Sequence, residues 1–397
     1  MSRFPPVEIQ LFLPDTGPTE AAAAARVVAS GWLGRGPETD GFEVEFAAHL
    51  GVSRDQVIAL PSCTDGLFLA MEALELKPGD EVVLPTVSFV GAGQAILAAG
   101  ARPVLCDVDP RSLNPTAEHI AAKLTPRTRA VVLLHYGGVP CDRGPIMALL
   151  DARGITLVED SACSPASRIG GKMCGTFGAF ATWSFDAMKL MSAGEGGMLY
   201  VRDPKLAARI RLRTVLGMSS ASGLASASEH RWWEFDVAVR GRRTLYCDVL
   251  AAVARVQLAR LDEMVARRGQ IARHYRQCVG GHEKLAMPPP PPPGAVVSDY
   301  FFWVQLESAL RDELARVLRF AGIYTSFRYY PLHRMTLFRD PGPFPGADEA
   351  ANTTLNLPLH SKLTAQQVDR VCEVVDGFLR DSSDVRAVRA SASPRAA

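Results

Sequence analysis

The chain has 397 residues, 48% of them hydrophobic, and its 43 Lys and Arg residues balance 42 Asp and Glu to a net charge of +1. A chain of this length exceeds what one core usually supports, so two domains are expected. The charge balance excludes a general attraction to nucleic acid or to an anionic membrane, so any anion must be recognised locally.

Cysteine and histidine usage narrows the chemistry further. Cys63, Cys106, Cys141, Cys163, Cys174, Cys247, Cys278 and Cys372 show no C-x-x-C pairing, and the histidines show no H-E-x-x-H or similar spacing. Reduced thiols and no metal are therefore expected. The N-terminus lacks an apolar secretory region, and no run approaches the about 18 apolar residues of a membrane span, so a soluble, cytoplasmic protein is expected.

From Val57 to Leu199, short apolar runs alternate with helical patterns. VIALP precedes a helix over Thr64–Leu76, EVVLP one over Phe89–Ala99, and AVVLLHY one over Pro145–Arg153, while PVLCDVD, ITLVED and FATWSF supply further strands. This alternation predicts a parallel or mixed sheet covered by helices. Met218–Arg243 is polar and reads as a long surface loop, and Asp248–Cys278 carries one sustained helical pattern. Pro288–Pro293 should form a stiff extended spacer, with a proline-type ligand as the alternative. A strand (Tyr300–Leu306), a helix (Arg311–Ala321), an aromatic loop (Ile323–His333) and a last helix (Thr364–Leu379) suggest a small α+β domain. Residues 381–397, rich in Ser, Ala and Arg, read as a disordered tail.

The stretch WSFDAMKLMSAGEGGML places Lys189 between a strand-like run and a glycine-rich turn. Upstream, the run Thr156–Asp160 closes on two acids and reads as a buried strand that delivers a carboxylate at its C-terminal end. A lysine amine able to form a Schiff base, with an acid for a pyridine nitrogen, suits pyridoxal phosphate. In ALPSCTDGLFLAMEAL, Ser62, Cys63, Thr64 and Asp65 open a helix whose free N–H groups could seat an anion, although Ser62 or Thr64 could equally be a plain N-cap. Phe89, just past a strand end, could lie over a flat ring or simply pack in the core. No G-x-G-x-x-G follows the first strand, which disfavours a nucleotide-dependent oxidoreductase.

Together, SGWLGRGPETDGFEVEFAAHLG, PSCTDGLFLAMEAL, KPGDEVVLPTVSFVGAGQAILAAGARPVLCDVDP, LTPRTRAVVLLHYGG, ITLVEDSA, SFDAMKLMSAGEGG, RVQLARLD and YYPLH resemble, in order, the DegT/DnrJ/EryC1/StrS sugar aminotransferases of the aspartate aminotransferase class. The likeness runs from about Phe12 to Leu379. It implies an α/β fold, the pyridoxal-phosphate-dependent transferase fold type I. A large domain (1–250) would hold a mixed, mostly parallel seven-stranded sheet between helices, followed by a smaller C-terminal α+β domain (251–380).

By the same resemblance, Lys189 is the Schiff-base lysine, Asp160 pairs with the pyridine nitrogen, Phe89 stacks on the ring, and the Cys63–Thr64 turn and Ser184 hold the phosphate. Cys163 stands where relatives usually carry a Gln that contacts the cofactor's phenolic oxygen. Arg243 stands near where a neighbouring subunit usually supplies an Asn to the phosphate, and its charged hydrogen bonds could serve the same purpose. Arg328 and His333 match a loop that lines the sugar pocket in relatives, with a structural role for the histidine as the alternative.

The implied function is transfer of an amino group from an amino acid, L-glutamate, to a nucleotide-linked keto-deoxysugar or a keto-cyclitol, by a homodimer with shared active sites. Related dehydratases carry His at the lysine position, so Lys189 argues against that rival. A non-catalytic sensor that keeps the fold is the other alternative.

Overall fold

The structure, a computed structural model, describes residues 4–218 and 236–391. Two helices open the chain, α1 (Pro18–Ser30) and α2 (Pro37–Leu50). Each has a proline in its first turn and closes on a left-handed glycine, Gly31 or Gly51, the arrangement that spares an N–H at the start and allows positive φ at the end. The predicted alternation then follows as β1 (Val57–Leu60), α3 (Cys63–Ala73), β2 (Glu81–Pro85), α4 (Val90–Ala98), β3 (Arg102–Cys106), α5 (Ala117–Ala121), β4 (Thr128–Leu134), α6 (Arg143–Asp151) and β5 (Thr156–Asp160). A small hairpin, β6 (Arg168–Ile169) and β7 (Lys172–Met173), leads to β8 (Phe180–Ser184), β9 (Gly197–Val201) and α7 (Pro204–Thr214).

Seven of these strands form one sheet in the order β1-β9-β8-β5-β4-β2-β3. The pairs from β8 through β3 are parallel, and only β9 runs against its neighbours β8 and β1. This is the mixed, mostly parallel seven-stranded sheet that the sequence predicts. Its central strands are buried on both faces, which is why they read as unbroken apolar runs. Val82, Leu84, Ala130, Val132 and Leu134 face one core, whereas Val83, Val131 and Leu133 face the other, as the two-residue period of a strand requires. On the first face, Phe42 and Phe46 of α2 meet Phe185 and Trp183 edge-on, at 5.2 and 5.3 Å between ring centroids.

The polar stretch read as a surface loop falls largely on residues 219–235, outside the described residues. Its flanks are tied together by bridges between Val215 and Arg243 and between Met218 and Val237. The expected single helix from Asp248 to Cys278 is instead two, α8 (Asp248–Ala259) and α9 (Leu261–Val279). Arg260 leaves helical geometry between them (φ −99°, ψ 2°), and its guanidinium binds Glu20 and Asp15. No Gly or Pro marks the break, so the apolar pattern runs through it.

The remaining elements are β10 (Ala295–Val296), β11 (Phe302–Gln305), α10 (Ser308–Phe320), α11 (Pro345–Thr353), β12 (Thr354–Leu357) and α12 (Ala365–Ser391). β11 and β12 pair antiparallel. The cores change over within α9, not at residue 250. Leu261 and Met264 join the sheet core, whereas Ile271, Tyr275 and Val279 join a second core with α10 and α12. The chain's start also belongs to that second core, through Ile9, which bridges Ile323. The backbone of α12 continues to Ser391, into the segment expected to be disordered. Ala and Arg there favour helix, and no Gly or Pro intervenes before Pro394. Among the described residues, no helix is long and apolar enough to cross a membrane.

Candidate active site

The C-terminal ends of the parallel strands converge on one cleft, the place where an open α/β sheet presents its loops to a ligand. β1 ends at Leu60, and two residues on lies Ser62, whose hydroxyl accepts from the Asp65 N–H (3.0 Å) and donates to the Asp65 carboxylate (2.8 Å). Ser62 is therefore the N-cap of α3, leaving Cys63 and Thr64 at the helix mouth. Two glycines let the strand after the lysine lie against this turn. A Cβ on Gly197 would fall 2.4 Å from the Cys63 nitrogen, and Gly196, at φ 149°, leaves 2.6 Å for the Tyr246 hydroxyl.

β5 ends in two acids on opposite faces. Glu159 points away from the cleft and accepts from the N–H groups of Gly175, Phe177 and Gly178 at 2.7–2.8 Å and from His135. Asp160, 2% exposed, lines the cleft and accepts from the Ala162 N–H (3.1 Å). Burial raises its pKa against the opposing pull of that hydrogen bond and of Lys189 and His135.

Lys189 lies in the turn after β8, where its N–H donates to the Asp186 carbonyl (2.9 Å). Its Nζ sits over the Tyr300 ring, 5.2 Å from the centroid. Burial pulls this ammonium down, but Tyr300, Cys163, Cys63 and Asp160 outweigh burial and hold its pKa above the ordinary range. Burial pushes the two thiols and the phenol upward as well.

Of the residues expected to form the site, Cys63, Thr64, Phe89, Asp160, Ser184, Lys189 and Arg328 all line this cleft. Phe89 is 45% exposed at the start of α4, as suits a ring kept free to cover a flat ligand. Three expected residues do not line it. Cys163 is fully buried with its thiol 3.8 Å from the Tyr329 hydroxyl, and burial pushes its pKa up to about 11. The His333 ring is saturated by Thr86 (2.8 Å) and Asp348 (3.1 Å) and stacks on Phe344 at 4.4 Å, which makes it a structural residue. Arg243 belongs to the bridge with Val215, away from this chain's own cleft.

Sequence reasoning missed Tyr300 and Tyr329, which wall the cleft. Tyr300 lies in an apolar run that reads as core strand. It precedes β11 and is turned by Asp299, whose φ is +46°, a conformation that no residue pattern announces. Its hydroxyl donates to the Met188 carbonyl (3.2 Å), and the Arg268 guanidinium binds the Asp299 and Tyr300 carbonyls. Arg328 is held by its own N–H, which donates to Asn356 (2.9 Å), and by its carbonyl, which accepts from Tyr136.

A buried carboxylate at a strand end, an amine beside it, an exposed aromatic ring and a helix mouth with free N–H groups form the donor set that a phosphorylated pyridine aldehyde requires. The sequence agrees with this geometry. Residues 14–376 match the model of the DegT/DnrJ/EryC1/StrS aminotransferase family, and the chain belongs to that family. It is an aminotransferase, and its cofactor is pyridoxal phosphate.

The chain is 48% identical over 366 residues to a dTDP-4-dehydro-2,3,6-trideoxy-D-glucose 4-aminotransferase of Saccharopolyspora spinosa, covering 92% of this chain and 95% of the relative. It is 34% identical to the spore coat polysaccharide biosynthesis protein SpsC of Bacillus subtilis (strain 168), covering 93% and 96%. Among solved structures, the aminotransferase TlmJ from Streptoalloteichus hindustanus superposes with a TM-score of 0.90 at 51% identity, over 94% of this chain and 99% of that one.

Proposed function

We propose that the enzyme moves the amino group of L-glutamate to the C4 carbonyl of a dTDP-linked 4-keto-deoxyhexose, in the assembly of an amino sugar. The observation that carries this reading is the shared cleft of Lys189 and Asp160, with the phosphate-type helix mouth of α3 beside them. The substrate of the Saccharopolyspora spinosa relative supports the choice of sugar and carbon.

Bound pyridoxal phosphate would supply an electron sink for the charge left when the donor's α-carbon loses a proton. The chain's residues do the remaining work. Cys63, Thr64 and Ser184 would hold the phosphate, and Phe89 would cover the ring. Asp160 would keep a proton on the pyridine nitrogen, because a carboxylate whose charge is disfavoured by burial gains most from a cationic hydrogen-bond donor. Lys189 Nζ would take the proton from the donor's α-carbon and return one at the sugar carbon in the second half-reaction. Arg328, on the cleft wall, would meet an anionic group of either substrate. Arg243 would serve the phosphate in the partner's cleft of a homodimer.

The test is a two-stage reaction on the purified holoenzyme. L-Glutamate alone should bleach the yellow cofactor band and release 2-oxoglutarate. A dTDP-4-keto-6-deoxysugar should then restore the band and appear by mass spectrometry as the amine. Bleaching followed by recovery only with a keto-cyclitol would overturn the sugar assignment.

A further inference from the structure

Helices α9 and α12 lie side by side in the small domain, joined by a ladder of paired side chains. His274 of α9 meets Asp369 (2.8 Å between Nε2 and Oδ1), and His282, three residues past the end of α9, meets Asp376 (2.9 Å). Between these two pairs, Cys278 faces Cys372. His274 and Cys278 are four residues apart on α9, hence on one face, and Asp369 and Cys372 are three apart on α12. The ligand atoms of His274, Cys278 and Cys372 all lie within 4.8 Å of one another, the only such group of three among the described residues.

We propose that His274, Cys278 and Cys372 bind one thiophilic divalent cation of the zinc class, clamping α9 to α12, with Asp369 orienting the imidazole. Two soft thiolates and an imidazole are the donor set that Zn²⁺ prefers, and bonds of about 2.0–2.3 Å place tetrahedral ligand atoms within the spacing seen here. Asp369 already holds His274 Nε2, which fixes the ring and leaves Nδ1 as the metal-binding nitrogen, in the manner of a carboxylate–histidine–zinc unit. Cys278 is the exposed member and gives the cation its entry, whereas Cys372 is buried against the small-domain core. Water completes the fourth position. Each thiol gives up its proton as its sulfur bonds the cation, so no oxidant or reductant is involved.

A local scan for metal spacing misses this group because one helix contributes only H-x-x-x-C and the third ligand lies on another helix. The cluster touches none of the residues placed in the cleft.

The test uses the full-length holoenzyme, reduced, stripped with a chelator and dialysed against ZnCl₂. One zinc per chain should be retained, and two thiols should become protected from a thiol reagent. The Cys278→Ser/Cys372→Ser double variant should retain background zinc only, at an unchanged aminotransferase rate. Asp369→Asn should weaken zinc binding by about 10–100-fold. His274→Gln, which leaves both thiols in place, should also lose binding, and this guards against a double variant that folds poorly. Zinc equal to background in the wild type overturns the proposal. So does zinc uptake unaffected by the double variant, or a Cys278–Cys372 disulfide formed in place of metal uptake.

Discussion

Lys189 and Asp160 share one buried cleft, where the carboxylate helps to hold the lysine ammonium above its ordinary pKa. Their pairing yields a paired expectation. Lys189→Ala removes the group proposed to move the proton, so turnover should fall by about 10²–10⁴-fold or more while the cofactor still binds. Asp160→Asn keeps the shape but loses the charge, and turnover should fall on the order of 10²-fold. Steady-state kinetics on the two variants check both values. Both positions are legible in the sequence, because a strand end, where Asp160 stands, and a glycine-rich turn, which follows Lys189, leave local signatures. What the sequence conceals at this scale depends on packing. Cys163 holds a position associated with cofactor contact yet lies buried beside Tyr329, and His333 spends both ring nitrogens on Thr86 and Asp348. No spacing distinguishes such a saturated histidine from a free one.

A second residue-scale expectation concerns His360, which is buried in the small domain. Burial, reinforced by the nearby Arg268, lowers its pKa from the ordinary 6.5 to about 4. Because the folded value lies below the unfolded one, its full contribution is present above about pH 6.5 and is lost as the pH falls toward about 4. Up to about 3 kcal/mol of stability is at stake. Urea midpoints for the wild type should therefore drop between pH 7 and pH 5, and His360→Asn should flatten the slope. His49 is also lowered by burial and leaves a residual slope of the same sign. An identical slope in the variant would assign the pH dependence elsewhere.

At the scale of elements, the α/β alternation is readable because each central strand is buried on both faces and so writes an unbroken apolar run. The α8–α9 break is not, because it depends on the binding of Arg260 to Glu20 and Asp15, far away in sequence. Long-range capping has the same character at α2. Asp248, the first residue of α8, accepts from the N–H groups of Gly36 and Thr39 and from the Thr39 hydroxyl on Oδ1, and from the Glu38 N–H on Oδ2, at 2.7–3.1 Å. The carboxylate satisfies donors that a helix start leaves unpaired and lies at the positive end of the helix dipole. Asp248→Ala strands these donors, the two of Thr39 fully buried, and should cost about 3 kcal/mol or more in chemical unfolding. A loss under about 0.5 kcal/mol, the scale of an ordinary surface change, would contradict this account.

For the whole molecule, the two cores meet along α9 and β11. Trp303 joins the sheet core, and its neighbours Phe302 and Val304 join the small-domain core. Tyr300, just before β11, carries that junction to Lys189, so the placement of the amine proposed to be catalytic depends on both cores. The proposed homodimer extends the same logic across subunits. Arg243 does not line its own chain's cleft, and the proposal assigns it to the partner's. Mixing Lys189→Ala with Arg243→Ala subunits should rebuild one intact cleft per heterodimer and recover up to half of the wild-type rate per heterodimer. No recovery, with mixed dimers demonstrated, would count against a shared site.

The most direct measurement of the central claim is borohydride reduction of the purified yellow holoenzyme, followed by peptide mapping. The account predicts one pyridoxyl group per chain, on Lys189, and none on the Lys189→Ala protein. A label on another lysine, or a cofactor that dialyses away intact after reduction, would contradict it.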